Sequence, residues 1–555
     1  MSGQRVLHAS LRGVLWMAAV LLSAHVQAAD FHVCDCAAGA APTCVAGNDG
    51  NPGSSASNPW RSYERARGAF AGLAAGDSIR FCRGGVFTIG ASARWVNDSC
   101  RATAPCTLGA YSPPGGANDL PPPLIRQSQG AGFGFDNTGF ARQQEGYVVE
   151  DLDLTCSACA SNDPGVFLFN DVDDVRLQRL RISGFGLGVY VTYSNCVAGD
   201  PACCSTLDPA CDGFSSRFEL LDSEIRDSRA QGFLGGGDDL LIEGNRFERN
   251  GSRAVLDHNI YLIGVYARGR VLNNVLRRSA ALETGRCRGT SLVAHGTLTD
   301  LLIEGNLIEE SIGLADPNCW GIEITPGNPN PERFLRATVR GNAVFNGGTA
   351  GIALASCVDC LVENNLIVHQ QPNAIIGIRA PSTAGGAGDA TLDALTVRNN
   401  AIFIATSNSV GIEVGAQGSG HRIVSNALHS VATTGFWSCL SLSLPPSAYD
   451  AVDHNVCGFV AGAQREWEFG SGALAQWRAL SGFDTASLQQ APGFNAPAFP
   501  DYDLRAASAQ AAMVGRGHPS LSAPFDVDGR PRGALPDAGA HQVLRPSSVF
   551  GDGFE

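Results

Sequence analysis

The chain of 555 residues reads as an all-β solenoid, and three observations carry that reading. Eleven short segments share one pattern: an aliphatic residue, two spacers, a hub residue, one spacer, then a further aliphatic residue or Phe, as in L-L-I-E-G-N-R-F around Asn245. Eight hubs are asparagines (Asn245, Asn274, Asn306, Asn342, Asn365, Asn400, Asn426 and Asn455), while Leu152, Leu180 and Ser223 hold the slot upstream. The hub spacings run 28, 43, 22, 29, 32, 36, 23, 35, 26 and 29. Strand-turn-strand units of this size cannot bury an apolar face alone and must stack. Asparagine suits the hub on two counts: it tolerates a left-handed turn conformation, and its amide can bond to the Asn of the next coil. About eleven coils joined by an Asn ladder are expected.

Taken in order, residues 1–28 read as a secretory signal. Arg5 and Arg12 form a basic start, Gly13–Ala24 an apolar run, and Val26-Gln27-Ala28 a small-residue cleavage site. Residues 29–145 are expected to hold a capping segment and the first coils; Asn58–Ala75 reads there as one amphipathic helix covering the open end, followed by the strand Ser78–Phe81. Residues 146–460 carry the main stack, with a Cys-rich insertion at 193–214 read as a disulfide-pinned lobe beside the groove. Residues 461–545 form a closing module with a helical patch around Trp467 and Trp477, and 546–555 a short tail. No later stretch of about 18 apolar residues exists, so no membrane span is expected. The protein is expected to be secreted, extracellular or periplasmic in a bacterium, and monomeric.

The basic residues are all arginine, 39 Arg and no Lys. Without the signal, 37 Arg face 53 acids, a formal charge of −16. That opposes nucleic acid or an anionic membrane as a general partner, while leaving room for a local Arg-lined groove. With no lysine, no ammonium can act as base or Schiff-base former. All 18 cysteines follow the cleavage site, an even number for an oxidising destination. The close sets Cys100/Cys106, Cys156/Cys159, Cys357/Cys360 and Cys439/Cys457, with the cluster Cys196, Cys203, Cys204 and Cys211, read as staples on turns, their pairing open. The two C-x-x-C units lack flanking His, which weighs against zinc.

Further residues carry a resemblance. N-P-W-R-S-Y-E-R-A at Asn58–Ala66 with A-G-D-S-I-R-F at Ala75–Phe81, and W-R-A-L-S-G-F-D-T-A-S-L at Trp477–Leu488 followed by D-V-D-G-R-P-R and P-D-A-G-A-H up to His541, resemble the opening and closing segments of secreted proteins of the pectin-lyase-like superfamily. The usual closing acid is replaced by His541 or Gln542. The resemblance implies a right-handed parallel β-helix that binds an acidic extracellular polysaccharide along one exposed sheet; for the reaction it is open, since lyases, hydrolases, epimerases and adhesins share the fold. V-L-D-H-N at Val255–Asn259 is similar to the D-H segment of pectate lyases, but their R-x-P-x-x-R is missing. Of the polygalacturonase set only A-H-G at Ala294–Gly296 remains, and the D-P-H-E of mannuronan epimerases is not found.

A second strand precedes each hub, as in Asn259–Leu262, Ser291–Ala294, Gly321–Ile324 and Gly411–Val414. Alternation sends its aliphatic residues inward and makes an exposed column of Tyr190, Leu234, Tyr261, Val293, Glu323, Ala353, Ile376 and Glu413. His258 and Asn259 fall at the start of one strand, His295 and Thr325 at the end of the next two. Two reactions suit these residue types. Elimination at a uronic acid needs a base, an acid for the leaving oxygen and a group that neutralises the carboxylate. His258, Tyr261, His295 and Arg278 are the expected catalytic residues, and Tyr190, Asn259, Arg253, Arg286 and Glu323 the expected polymer contacts, with Asn259, Arg278 or Arg286 as neutraliser. Hydrolysis needs two carboxylates about 5–9.5 Å apart, and none pair convincingly on one face. A non-catalytic polysaccharide-binding protein is the third reading. Asp257 is either a turn cap or, with Asp238 or Asp239, a calcium ligand; no other metal is expected.

Overall fold

The computed structural model describes residues 28–114, 120–137, 144–192, 213–381, 386–415, 417–460, 467–469 and 473–543. Apart from residue 28 and residues 213–214, the expected signal, the Cys-rich insertion and the tail lie outside these residues. Three long sheets, each of fourteen parallel strands, run side by side, and successive coils contribute one strand to each. One coil passes from Leu241–Glu243 in the first sheet, through a turn at Asn245, to Arg246–Glu248 in the second, Ile260–Ala267 in the third, and back to Arg270–Leu272. Every pairing along the stacks is parallel, and because parallel crossovers take the right-handed sense the chain is a right-handed parallel β-helix.

The inward positions, such as Ile242, Phe247, Ile260, Leu262, Val271 and Leu276, are fully buried in one continuous core. Each contributes about 1.5–3 kcal/mol relative to exposure. At the corner between the first two sheets the hub asparagines form the expected ladder. Backbone N–H groups from Asn245 through Asn426 each donate to the side-chain oxygen of the next hub at 2.9–3.0 Å. Each Nδ2 also donates to that oxygen and to a strand carbonyl one coil back, as Asn274 does to Asn306 and to Ile242. Hydroxyls continue the ladder at both ends: Ser223 accepts from Leu180 N–H, and Ser487 from Asn455 N–H.

One of the two expected reasons for asparagine fails. The left-handed residue is the one before the hub, Gly244, Asn273, Gly305, Gly341, Asn364, Asn399, Ser425 or His454, while the hub itself is not left-handed. The amide bonding alone selects Asn. The stack also begins earlier than the hub pattern suggests. Asp30–Val33, Ser78–Cys82 and Cys106–Tyr111 open the first sheet, with Gly85 and Pro123 at the corner.

The opening helix spans only Tyr63–Phe70, shorter than expected. Trp60 N–H instead donates to His32 O, tying that residue to the first strand, and Ser62 Oγ caps the helix by accepting from Arg65 N–H at 3.1 Å. Tyr63 and Phe70 meet Trp95 edge-on at 5.3 and 5.2 Å, an aromatic plug on the open end. At the other end Trp467–Phe469 is a strand of the third sheet and not helical; the helix is Leu474–Ser481, closed by left-handed Gly482. Beyond it the chain turns back over the outer face of the second sheet. Phe494, Leu504, Met513, Ala538 and Ala540 bury Val368, Ala401, Phe403, Ala427 and Val456 there in a second core. Both C-x-x-C units are disulfides, Cys156–Cys159 and Cys357–Cys360; Cys34–Cys82, Cys36–Cys44, Cys100–Cys106, Cys287–Cys319 and Cys439–Cys457 complete those described.

Candidate functional site

The outward column of the third sheet runs Phe167, Tyr190, Leu234, Tyr261, Val293, Glu323, Ala353, Arg379, Glu413. It matches the expected column except that Arg379, not Ile376, lies beside Ala353. Around Tyr261 the loops of three successive coils rise and enclose a cleft of about 340 Å³ lined by Val255, Leu256, His258, Tyr261, Thr290, Val293, His295, Asn318, Trp320, Glu323, Pro326 and Gly327.

His258 is placed by its own loop. The buried Asp257 carboxylate accepts from the Ser252 and Arg253 amides at 3.0 and 2.7 Å and holds the Arg253 guanidinium at 2.7 Å. Gln231, one coil earlier, clamps the same segment: Oε1 accepts from His258 N–H and Nε2 donates to Leu256 O. The tightness forces Val255, a β-branched residue, to φ 70°, leaving its side chain and that of Leu256 exposed on the rim. His258 Nδ1 lies 3.0 Å from Thr290 O, and His295 Nδ1 lies 2.6 Å from Thr325 O. A carbonyl only accepts, so in the neutral ring each Nδ1 carries the proton and each Nε2 keeps a lone pair. Neither Nε2 has a hydrogen-bond partner among the described residues.

Tyr261 stands edge-on between the two imidazoles, its ring centroid 5.3 Å from His258 and 5.4 Å from His295. Burial, reinforced by Glu332 and Glu323, pushes its phenol up to about 12. Burial also pulls His258 down to about 4, against the opposing pull of its bond to Thr290. At neutral pH the site therefore holds a protonated phenol beside an uncharged His258. Glu323 accepts from Thr290 Oγ1 at 2.8 Å and Thr325 Oγ1 at 2.9 Å. The second acid nearby, Glu332, is buried and binds the Gly327 amide and the Asn328 side chain, shaping the loop under His295. Gly327 lies flat on that imidazole; a Cβ there would come 2.4 Å from the ring.

Of the nine expected site residues, His258, Tyr261, His295 and Glu323 line this cleft. Tyr190 is two rungs away, stacked on Phe167 at 5.4 Å. Asn259 is fully buried, accepting from Asn250 and donating to Arg277 O, so it holds the coil and is closed off from the cleft surface. Arg253 is taken up by Asp257. Arg286 binds Asp316 at 2.7 Å and Gly313 O at 2.6 Å. Arg278 lies in the turn after a second-sheet strand, its N–H on Glu310 and its guanidinium 3.7 Å from Glu248, lining a separate small pocket. None of the expected neutralisers therefore reaches the cleft, whose lining holds no cation. The expected calcium set does not meet either: Asp238 and Asp239 both bind Arg268, and Asp257 binds Arg253.

Gln231, Thr290, Asn318 and Trp320 escaped the sequence reading. Gln231 was visible in one respect, as the residue at the His258 position one coil earlier, Phe233 pairing with Ile260. A larger cleft of about 490 Å³ lies against the closing segment, but its charged groups bind one another, His541 and Arg505 both meeting Asp528.

No family model and no curated protein matches the chain. Among solved structures it is similar to pectate lyase Pel9A (14% identity, 93% of this chain and 97% of that one, TM-score 0.39). It is also similar to a complex of XylC with xylose (8%, 93% and 98%, TM-score 0.45) and to the periplasmic alginate epimerase AlgG (12%, 69% and 77%, TM-score 0.38). With each score below 0.5 these likenesses say nothing about chemistry, and the fold stands on the strand order itself. No helix among the described residues is long and apolar enough to cross a membrane.

Proposed function

We propose that this is an exported carbohydrate-active enzyme that cleaves an acidic polysaccharide by β-elimination at uronic acid units. The observation that carries this reading is Tyr261 between two imidazoles whose Nδ1 protons are pinned to backbone carbonyls, in a cleft with one accessible carboxylate. Elimination needs one acid and one base side by side, which Tyr261 and a histidine supply. Hydrolysis by the usual route needs two carboxylates, and Glu332 is buried under its loop.

In the proposed step His295 Nε2 takes the proton at C5 of the uronate. That electron pair forms the C4–C5 double bond, the C4–O bond breaks, and the Tyr261 O–H protonates the departing oxygen. His258 is uncharged at neutral pH and, pulled down to about 4 by burial, is a poor base, so it serves to seat Tyr261. The reacting ring rests over Val293 between Tyr261 and Glu323. Its carboxylate meets neutral donors, Asn318 being the amide of the lining.

The test is ultraviolet absorbance of the unsaturated product on a panel of uronic acid polymers. A rise abolished in Tyr261→Phe and His295→Ala supports the reading. No rise and no new reducing ends, with binding retained, would instead make the protein a non-catalytic polysaccharide binder.

A further inference from the structure

Arginines on the solvent side of this β-helix are mostly taken up by neighbouring carboxylates, as in Arg179–Asp151, Arg217–Asp174, Arg268–Asp239, Arg336–Asp300 and Arg398–Glu363. Arg379 is different. It is the cation of the outward column on the third sheet, and it makes no ion pair among the described residues. Its guanidinium lies over the ring of Trp320, 5.5 Å from the centroid, and its Nε is buried without a hydrogen-bond partner. Glu413, on the next rung, feels the Arg379 charge but stands outside ion-pair distance of it. Trp320 is itself a wall of the cleft, its Nε1 fixed on Thr349 Oγ1 at 2.8 Å. A cation on an aromatic face and outside any ion pair is suited to a carboxylate or sulfate.

The column also has a rhythm. Between Tyr261 and Arg379, functional side chains alternate with small or aliphatic floors: Tyr261, Val293, Glu323, Ala353, Arg379. Adjacent rungs are about 5 Å apart, comparable with one sugar unit in an extended polymer. Glu323 stands between Tyr261 and Arg379. As an acceptor from two threonine hydroxyls it is arranged to receive sugar O–H groups, and it would repel an acidic unit placed against it.

Resting on the elimination reading, we propose that Arg379 and Trp320 form an anion-binding subsite, and that the substrate alternates acidic with neutral sugars instead of being a homopolymer of uronic acid. With the reacting unit over Val293, the neutral unit that follows faces Glu323, and the next acidic unit lies over Ala353, beside Arg379 on the adjoining rung. Arg379 thereby selects the polymer and sets its register without touching the reacting atoms.

The test is calorimetric binding in the Tyr261→Phe background, where no turnover intervenes. The probes are hexasaccharides of hyaluronan, of chondroitin sulfate and of polygalacturonate. Alternating hexasaccharides are expected to bind more tightly than the homopolymer, with Arg379→Gln weakening them about tenfold and Arg379→Lys retaining most of the affinity. Hyaluronan against chondroitin sulfate tells whether a carboxylate suffices or a sulfate is required. Equal affinity for both polymer classes, binding unaffected by Arg379→Gln, or no binding of any probe would overturn the proposal. Intact Arg379-dependent binding without unsaturated product from the wild-type protein would sink the elimination reading alone.

Discussion

The corner that carries the asparagines and the sheet that carries the cleft belong to the same coils, yet they treat polar groups in opposite ways. At the corner every hub amide has several partners and each coil copies the one before, so the groups hold the stack and nothing else. On the third sheet, in residues 250–332, the loops lengthen, the copies stop matching, and two imidazole nitrogens and a glutamate face a cleft. A repeat confers stability where it is obeyed and chemistry where it is broken.

The sharpest way to break this contrast is Tyr261→Phe. It should lower elimination by at least about a hundredfold while leaving the denaturation midpoint almost unchanged, which kinetics and urea melts on one preparation would show. Asn306→Ala should do the reverse. It strands donors and acceptors in two neighbouring coils, so unfolding free energy should fall by about 3 kcal/mol with activity per folded molecule retained.

Titration sharpens the comparison. Burial holds both His258 in the cleft and His369 in the second sheet near 4, below their ordinary 6.5. The unfolded chain binds more protons in that interval, so stability should be complete above 6.5 and lost as pH falls towards 4, by roughly 3 kcal/mol for each histidine at most. Replacing either by Gln should flatten the acid limb of a stability–pH curve; only His258→Gln should also reduce turnover. Gly327→Ala pushes a methyl into the His295 ring and should lower turnover about tenfold with a small change in melting temperature. The smallest effect belongs to Arg278→Gln, outside the cleft and partly exposed, with stability shifting by less than about 1 kcal/mol and activity unchanged.

What the sequence revealed follows the same division. The ladder was legible because one residue type recurs at a corner with a single bonding solution. The first coils were placed in residues 29–145 without their register, since Gly85 and Pro123 occupy that corner without a side-chain amide. His258, Tyr261, His295 and Glu323 could be placed on one face because strand alternation is strict. Arg379 was missed through a slip of register: Gly377-Ile378-Arg379 aligns with Gly351-Ile352-Ala353, and counting from Ile376 sends the wrong side chain outward. The loop arginines lie away from the cleft for another reason. Their acidic partners, Asp316 for Arg286 and Asp257 for Arg253, are fixed by loop paths that spacing does not determine. The opening helix was overextended because Trp60 is bound to a strand that precedes it by almost thirty residues.

The closing segment gives the molecule a property that a bare stack lacks. It crosses five successive strands of the second sheet, where Tyr502 stacks on Phe345 at 4.3 Å, Arg532 binds Asn364, Asn399 binds Asp537 O, and Gly539 N–H meets Ser425 O. A linear pile of coils can unzip from its last member one layer at a time. Here the final layers are buttoned from outside by the stretch of chain synthesised after them, so they must open together or stay shut. The ribosome therefore delivers the fastening after the layers it closes, and a chain nicked by a protease near residue 490 would lose that shared threshold while its upstream coils remain stacked.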